Sequence, residues 1–233
     1  MIVIICAMPE ERDALVSKMK NLKIKKGEKI FYHGNYLDNE LYIGEIANKE
    51  VMICRSGVGD VYATISTLLI IKKYKPELII NLGVAGSLNK NIHVGDVVVA
   101  DKVAHWRVDV PEKPWLRSFN NNYISYPCDP KAINILKKTN NKLHYGPIVS
   151  AFEFIYKKSQ VNIIKKYFPE ALCGEMEGAA IANTCLAFNI NVTIIRGISD
   201  ETLVNGDYKN ADFNLELSCK NAAKICIDLI RGY

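Results

Sequence analysis

The chain has 233 residues, 30 basic and 25 acidic, for a formal net charge of +5. The basic residues are spread along it with only short clusters such as Lys18 to Lys29, which reads as a solvated surface rather than a nucleic-acid groove. The length suits one α/β domain over residues 1–233, since single domains of this class often run to ~200–250 residues.

In chain order, Ile2 to Cys6 is a short apolar β-type run. Pro9 at a first helical position and Glu10-Glu11 in the first turn then start a helix that ends near Met19. Glu10 and Glu11 are either ordinary N-terminal helix acids or stand at the mouth of a crevice. Residues Ile30 to Cys54 alternate around turn signals and predict a small antiparallel meander. Ser56-Gly57-Val58-Gly59-Asp60 precedes a helix over Val61 to Tyr74; two glycines there suit a tight turn or a close approach to a ligand, without the third glycine of a dinucleotide fingerprint. Leu78 to Leu82 reads as a buried strand ending in Gly83-Val84-Ala85-Gly86-Ser87, and Val94 to Ala100 as a third strand.

From Asp101 to Pro130 the pattern weakens into a proline-rich and aromatic loop holding His105, Trp106, Trp115, Tyr123 and Tyr126. Helices follow over Ala132 to Lys138 and Ser159 to Tyr167, with a strand at Gly146 to Ser150 between them. The stretch Gly174 to Asp200 organises the rest. It predicts a helix opening on Glu175 and Glu177, an apolar strand Val192 to Ile195, and Asp200 leaving that strand at its carboxyl end, where ligands bind in open α/β sheets. Asp200 as a plain N-cap, and the glutamates as dipole partners, are the alternatives. An amphipathic helix between Asn210 and Arg231 closes the chain.

Seven cysteines (Cys6, Cys54, Cys128, Cys173, Cys185, Cys219, Cys226) form no CxxC pair and fit free thiols in a reducing compartment; with the four histidines they offer no zinc-like spacing. The opening MIVIICAMPEER is apolar for too few residues to be a membrane span and has no basic region of a signal peptide, so the expectation is a cytoplasmic protein.

Taken together, Ala7-Met8…Glu11, Ser56-Gly57-Val58-Gly59, Asn81-Leu82-Gly83-Val84-Ala85-Gly86, Val94-Gly95-Asp96-Val97-Val98, Ile148-Val149-Ser150…Phe154-Ile155, Glu175-Met176-Glu177…Ala179 and Arg196-Gly197-Ile198-Ser199-Asp200 resemble the nucleoside phosphorylase/nucleosidase family, in the right order and over nearly the whole chain. The resemblance implies a three-layer α/β fold: a twisted mixed sheet, partly barrel-like, flanked by helices. It implies hydrolysis of the N-glycosidic bond of 5′-methylthioadenosine, S-adenosylhomocysteine or a near relative, to adenine and a 5-thioribose product. It implies no metal or organic cofactor, and a homodimer whose pocket borrows residues from the neighbour.

By the same resemblance Asp200 is the acid that meets the purine N-7 nitrogen, held in line by Ser199, and Glu11 orients water. Glu177 grips the ribose hydroxyls, Met176 packs on the sugar, and Arg196 neutralises the nearby carboxylates, one of which is expected to carry a proton. Phe154 stacks on adenine while the Ile155 backbone reads its edge. Glu175, Ala85, Gly86, Met8, Val110 and Trp115 complete the expected substrate contacts. The chain departs from the family pattern at Ala151-Phe152-Glu153, at Lys113 in the loop around Val110, and after Asp200, where Tyr208 is a further lid residue. A purine nucleoside phosphorylase and a non-catalytic nucleoside-binding relative are the competing readings.

Overall fold

The computed structural model describes residues 1–37, 40–107, 124–201 and 213–233. In chain order they form β1 (Ile2–Cys6), α1 (Pro9–Val16), β2 (Lys20–Lys26), β3 (Phe31–Tyr32), β4 (Asn35–Tyr36), β5 (Glu40–Ile46), β6 (Lys49–Arg55), α2 (Asp60–Tyr74), β7 (Leu78–Ser87), β8 (Val97–His105), β9 (Ser125–Pro127), α3 (Pro130–Lys137), β10 (His144–Ser150), α4 (Lys158–Tyr167), β11 (Cys173–Glu175), α5 (Gly178–Ala187), β12 (Asn191–Asp200) and α6 (Leu215–Gly232).

Strands without a polar face have to be covered on both sides, and β1 is buried at every residue. Its side chains alternate between two cores. Ile2, Ile4 and Cys6 pack with Ala222, Ile225, Cys226 and Leu229 of α6, while Val3 and Ile5 pack with Ala63, Ile70 and Ile71 of α2 and with Ala179 to Ala182 of α5. The result is helix, sheet, helix, with α2 against α5 on one face and α1, α3 and α6 on the other. A third core joins α4 to the far end of the sheet through Trp106, Val149, Val161, Ile164 and Phe168.

The sheet is mixed and runs β11-β10-β8-β12-β7-β1-β6-β5-β2, with β9 added to β8. Because β11 also pairs with β7, the strands β7, β12, β8, β10 and β11 close into a ring, and β1, β6, β5 and β2 extend from it as an open wing. β1 and β12 both run parallel to β7, so their carboxyl ends, Cys6 and Asp200, emerge on the same side as that of β7. No helix of the described residues is long and apolar enough to cross a membrane.

The elements differ from the sequence expectation in instructive places. The first helix stops at Val16, and the lysine-rich run after it is an edge strand, β2, exposed at every residue and paired with β5. The alternation Leu22-Lys23-Ile24-Lys25 within it is short and lies inside a basic cluster, and lysine at an edge discourages pairing with a further chain. Gly83 to Ser87 is no turn but the second half of β7, and the third strand starts at Val97 and runs on to His105. Glu175 ends the short strand β11 rather than opening a helix, and Glu177 is the N-cap residue of α5. Both are ladder effects: ring closure supplies partners to segments whose own composition reads as turn or helix start.

Candidate active site

The first acid comes from the β1–α1 turn. Glu11 sits in the first turn of α1, and its side chain folds back so that Oε2 accepts the N–H groups of Ala7 (2.8 Å) and Met8 (3.0 Å). Its other oxygen, Oε1, accepts the N–H of Val84 in β7 at 3.0 Å. A carboxylate offers about four acceptor sites, so roughly one is left for a ligand or a water. Burial pushes the Glu11 carboxyl above its ordinary range, against the pull of Arg196 and of those three N–H groups. The glycine at 83 serves this contact: a Cβ there would stand 2.7 Å from Glu11 Oε1 and 2.6 Å from Arg196 Nη1.

The second group straddles β11 and α5. Arg196 of β12 is 1% exposed and donates from Nη2 to Glu175 Oε2 and to Asn81 Oδ1. Glu175 Oε2 also accepts the N–H of Glu177 (2.9 Å) and of Gly178 (2.7 Å), and Oε1 accepts the Ser150 hydroxyl. Glu175 is thus fully committed. Burial alone would raise its carboxyl, but the guanidinium and these donors outweigh it and hold the group below its ordinary value. Glu177 meets the reverse balance. It accepts one N–H, from Gly59 at 2.9 Å, and its Oε2 lies 3.7 Å from Arg196 Nη2. Burial, with Glu175 beside it, pushes its carboxyl up to about 8. Of these two glutamates, Glu177 is the one driven toward its protonated form.

The third acid ends β12. Pairing with β7 runs in step to Ile198 opposite Ala85, then shifts so that Asp200 faces Gly86 and Ser199 is the extra residue of a bulge. Neighbours hold the bulge from every side. The Ile198 carbonyl accepts from Gly95 N–H (2.9 Å) and Ser218 Oγ (2.5 Å), and the Ser199 carbonyl accepts from Asn214 N–H (2.9 Å). Ser199 Oγ lies 2.9 Å from Asp200 Oδ1, to which it donates, and 3.4 Å from the Ala85 carbonyl.

All three acids line one open cleft of about 730 Å³. Of the other residues singled out in the sequence, Met8, Ala85, Gly86, Phe154, Ile155, Glu175, Met176 and Ser199 line it too. Arg196 does not; it lies behind the wall, bound to Glu175. Phe154 is 43% exposed, whereas Ile155 is buried with its side chain against Gly174. Val110, Trp115, Lys113 and Tyr208 lie outside the described residues. Among the lining residues that sequence reasoning did not assign to the site are Val58, Glu153 and Phe213. The glycines around Val58 were the available signal for the first. Phe213 reads as part of the apolar face of the last helix, but that helix starts at Leu215 with Asn214 as its cap. Among the described residues no group of three or more His, Cys, Asp or Glu side chains is arranged to hold a metal ion.

Comparison with known proteins gives a consistent result. The family model of the phosphorylase superfamily matches residues 1–231. A 5′-methylthioadenosine/S-adenosylhomocysteine nucleosidase of Listeria monocytogenes is 36% identical, the alignment covering 98% of this chain and 97% of that one. The crystal structure of the Neisseria meningitidis nucleosidase of the same name, in complex with methylthio-immucillin-A, is 30% identical and superposes with a TM-score of 0.83 over 100% of this chain and 99% of that one. The Streptococcus pneumoniae nucleosidase with a transition-state inhibitor is 28% identical, with a TM-score of 0.82 over 99% and 98% of the two chains.

Proposed function

The chain belongs to the phosphorylase superfamily, and from that premise we propose that it hydrolyses the N-glycosidic bond of 5′-methylthioadenosine and S-adenosylhomocysteine, releasing adenine and the 5-thioribose product. The observation that carries this reading is the convergence of Glu11, Glu177 and Asp200 on one cleft whose walls also offer Phe154 and Met176.

Adenine leaves poorly as an anion, so the breaking bond needs a proton at the purine N-7 nitrogen. Asp200, protonated in the substrate complex, delivers it, and Glu11 takes up the proton that the attacking water loses; Ser199 fixes the Asp200 carboxyl group through the 2.9 Å hydrogen bond, and general acid help of this kind is worth ~10²–10⁴-fold. Phe154 stacks on the base and the Ile155 backbone reads its edge. As the sugar turns cationic, Glu177 holds its hydroxyls and Met176 packs against it, while Glu11 uses its remaining acceptor position to orient the attacking water. A raised carboxyl suits that last task, because a base works best when its affinity for protons approaches the ambient pH. Glu175 and Arg196 hold the frame, and Ala85, Gly86 and Met8 supply contact surface. By the family resemblance Val110 and Trp115 are assigned to the 5′ end; both lie outside the described residues.

Among the described lining residues there is no Lys or Arg to hold an inorganic phosphate, which supports water over phosphate as nucleophile. Residues 1–233 act as one domain, and the protein works as a homodimer whose neighbouring subunit completes the cleft. Exposed Val61, Ile65, Phe152, Tyr156 and Phe188 support such pairing. It acts in the cytoplasm, in methionine salvage and the methyl cycle; seven buried free thiols support a reducing compartment.

The test is Asp200→Asn. Adenine release should fall by ~10² or more with the melting temperature nearly unchanged, in a nucleoside panel assayed with and without phosphate. A variant retaining near-normal rates removes Asp200 from its role, and turnover that requires phosphate removes the hydrolase reading.

A further inference from the structure

A small hairpin sits on the loop that serves Glu177. Among the described residues β3 and β4 form a two-stranded sheet of their own, with Phe31 opposite Tyr36 and Tyr32 opposite Asn35. The turn between them, His33-Gly34, has φ of +44° and +85°, the positive values that a two-residue hairpin turn requires. At its base the Leu37 N–H donates to the Ile30 carbonyl at 2.8 Å, and both residues are buried. A lone hairpin is marginal in water unless it packs on something. This one packs on Gly57 and on Tyr62 of α2.

The loop needs such a hold. Gly57 and Gly59 have φ of +83° and +103°, and glycine is the residue with the most backbone freedom to lose. Its geometry therefore depends on what touches it. Tyr32 Oη accepts the Val58 N–H at 3.2 Å, and the Tyr32 ring covers Gly57, where a Cβ would stand 2.6 Å from Cε2. Phe152 covers Gly59 in the same way. Tyr62, in the first turn of α2, meets both rings edge-on, with centroids 4.6 Å from Tyr32 and 6.5 Å from Phe152. A ring against a glycine is ordinary packing; this one ends one residue from the N–H of Gly59, which donates to Glu177 Oε1 at 2.9 Å. Val58 itself lines the cleft.

Resting on the hydrolase reading above, we propose that Tyr32 is a positioning residue for the reaction: it fixes the Val58 amide, and so the next amide in the loop, which aims the Glu177 carboxyl group at the ribose hydroxyls. Tyr32 is not among the residues that line the cleft. It acts through two hydrogen bonds and one residue of backbone, at the sugar end of the cleft, and leaves the base end at Phe154 and Asp200 as it is.

The experiment compares 5′-methylthioadenosine with its 2′-deoxy analogue, which lacks one hydroxyl for Glu177 to grip, in single turnovers with the protein in excess. In Tyr32→Phe, which keeps the ring and removes the acceptor, the ratio of the first rate constant to the second should fall by about fivefold, the worth of one neutral hydrogen bond. Tyr32→Ala, which also uncovers Gly57, should lower it further. Tyr36→Phe, at an exposed position of the same hairpin, should leave it unchanged. A role in folding alone would lower both substrates by one factor and leave the ratio where it was. A ratio that stays put in Tyr32→Phe, or moves as much in Tyr36→Phe, overturns the positioning role while leaving the hydrolase reading intact. Failure of the unaltered protein to release adenine from either nucleoside overturns the hydrolase reading and the positioning role with it.

Discussion

Glu175 and Glu177 are two residues apart and equally deep, yet their protons are driven in opposite directions. Arg196 bonds the first and only approaches the second, at 3.7 Å. The consequence for stability has a definite sign. Glu177 keeps its proton in the folded state up to about 8, while the unfolded chain releases it near the ordinary carboxylate value of ~4.3. Between those limits the folded protein binds more protons, so its stability falls as pH rises, by up to ~1.4 kcal/mol per pH unit for one proton. Urea midpoints measured between these limits should fall with pH in the unaltered protein and stay flatter in Glu177→Gln. Equal slopes would contradict the assignment of that proton. Glu175→Ala should be worse than any surface change, at ~3–5 kcal/mol, because it leaves Arg196 buried without its main partner; thermal unfolding checks it. At this scale the position of the acids at strand ends and helix starts left their role open, and it was the family resemblance that implied which side chains meet. It was silent on which acid holds the proton, because that depends on contacts between residues as distant as Gly59 and Glu177.

At the scale of elements, loops and bulges set the geometry. Gly59 has φ +103°, and a Cβ there would stand 2.1 Å from the Phe152 ring. Gly59→Ala therefore strains the backbone and displaces the N–H that holds Glu177, for a cost of ~1–3 kcal/mol and a larger relative loss in kcat/KM than in stability. Steady-state kinetics beside thermal unfolding separates the two. The continuous apolar run of β1, the helix after the paired glycines at 57 and 59, and the amphipathic last helix were legible in the chain. β2 was not, because its short Leu22-Lys23-Ile24-Lys25 alternation is embedded in a lysine-rich run. Nor was the second half of β7, where Gly83, Ala85 and Gly86 read as a turn; they form strand because β12 and β11 pair with them, and Gly83 leaves room for Glu11 and Arg196.

For the whole molecule, the parallel run of β1, β7 and β12 explains why acids far apart in the chain share one cleft: strands that point the same way deliver their ends to the same side. Ring closure through β11 brings Glu175 and Glu177 to that rim. The exposed apolar side chains of α2 belong to this scale too. Val61 is 54% exposed, and Val61→Asp should shift the sedimentation coefficient toward a single chain and lower activity together. A monomeric unaltered protein with full activity would remove the dimer from the reading.

The most direct test of the central claim, that three convergent acids make water attack the nucleoside, is hydrolysis of 5′-methylthioadenosine in ¹⁸O-labelled water with and without phosphate. The expected result is free adenine and a thioribose labelled once at its anomeric carbon, at a rate indifferent to phosphate. An unlabelled sugar 1-phosphate, or a rate that vanishes when phosphate is withdrawn, would contradict it.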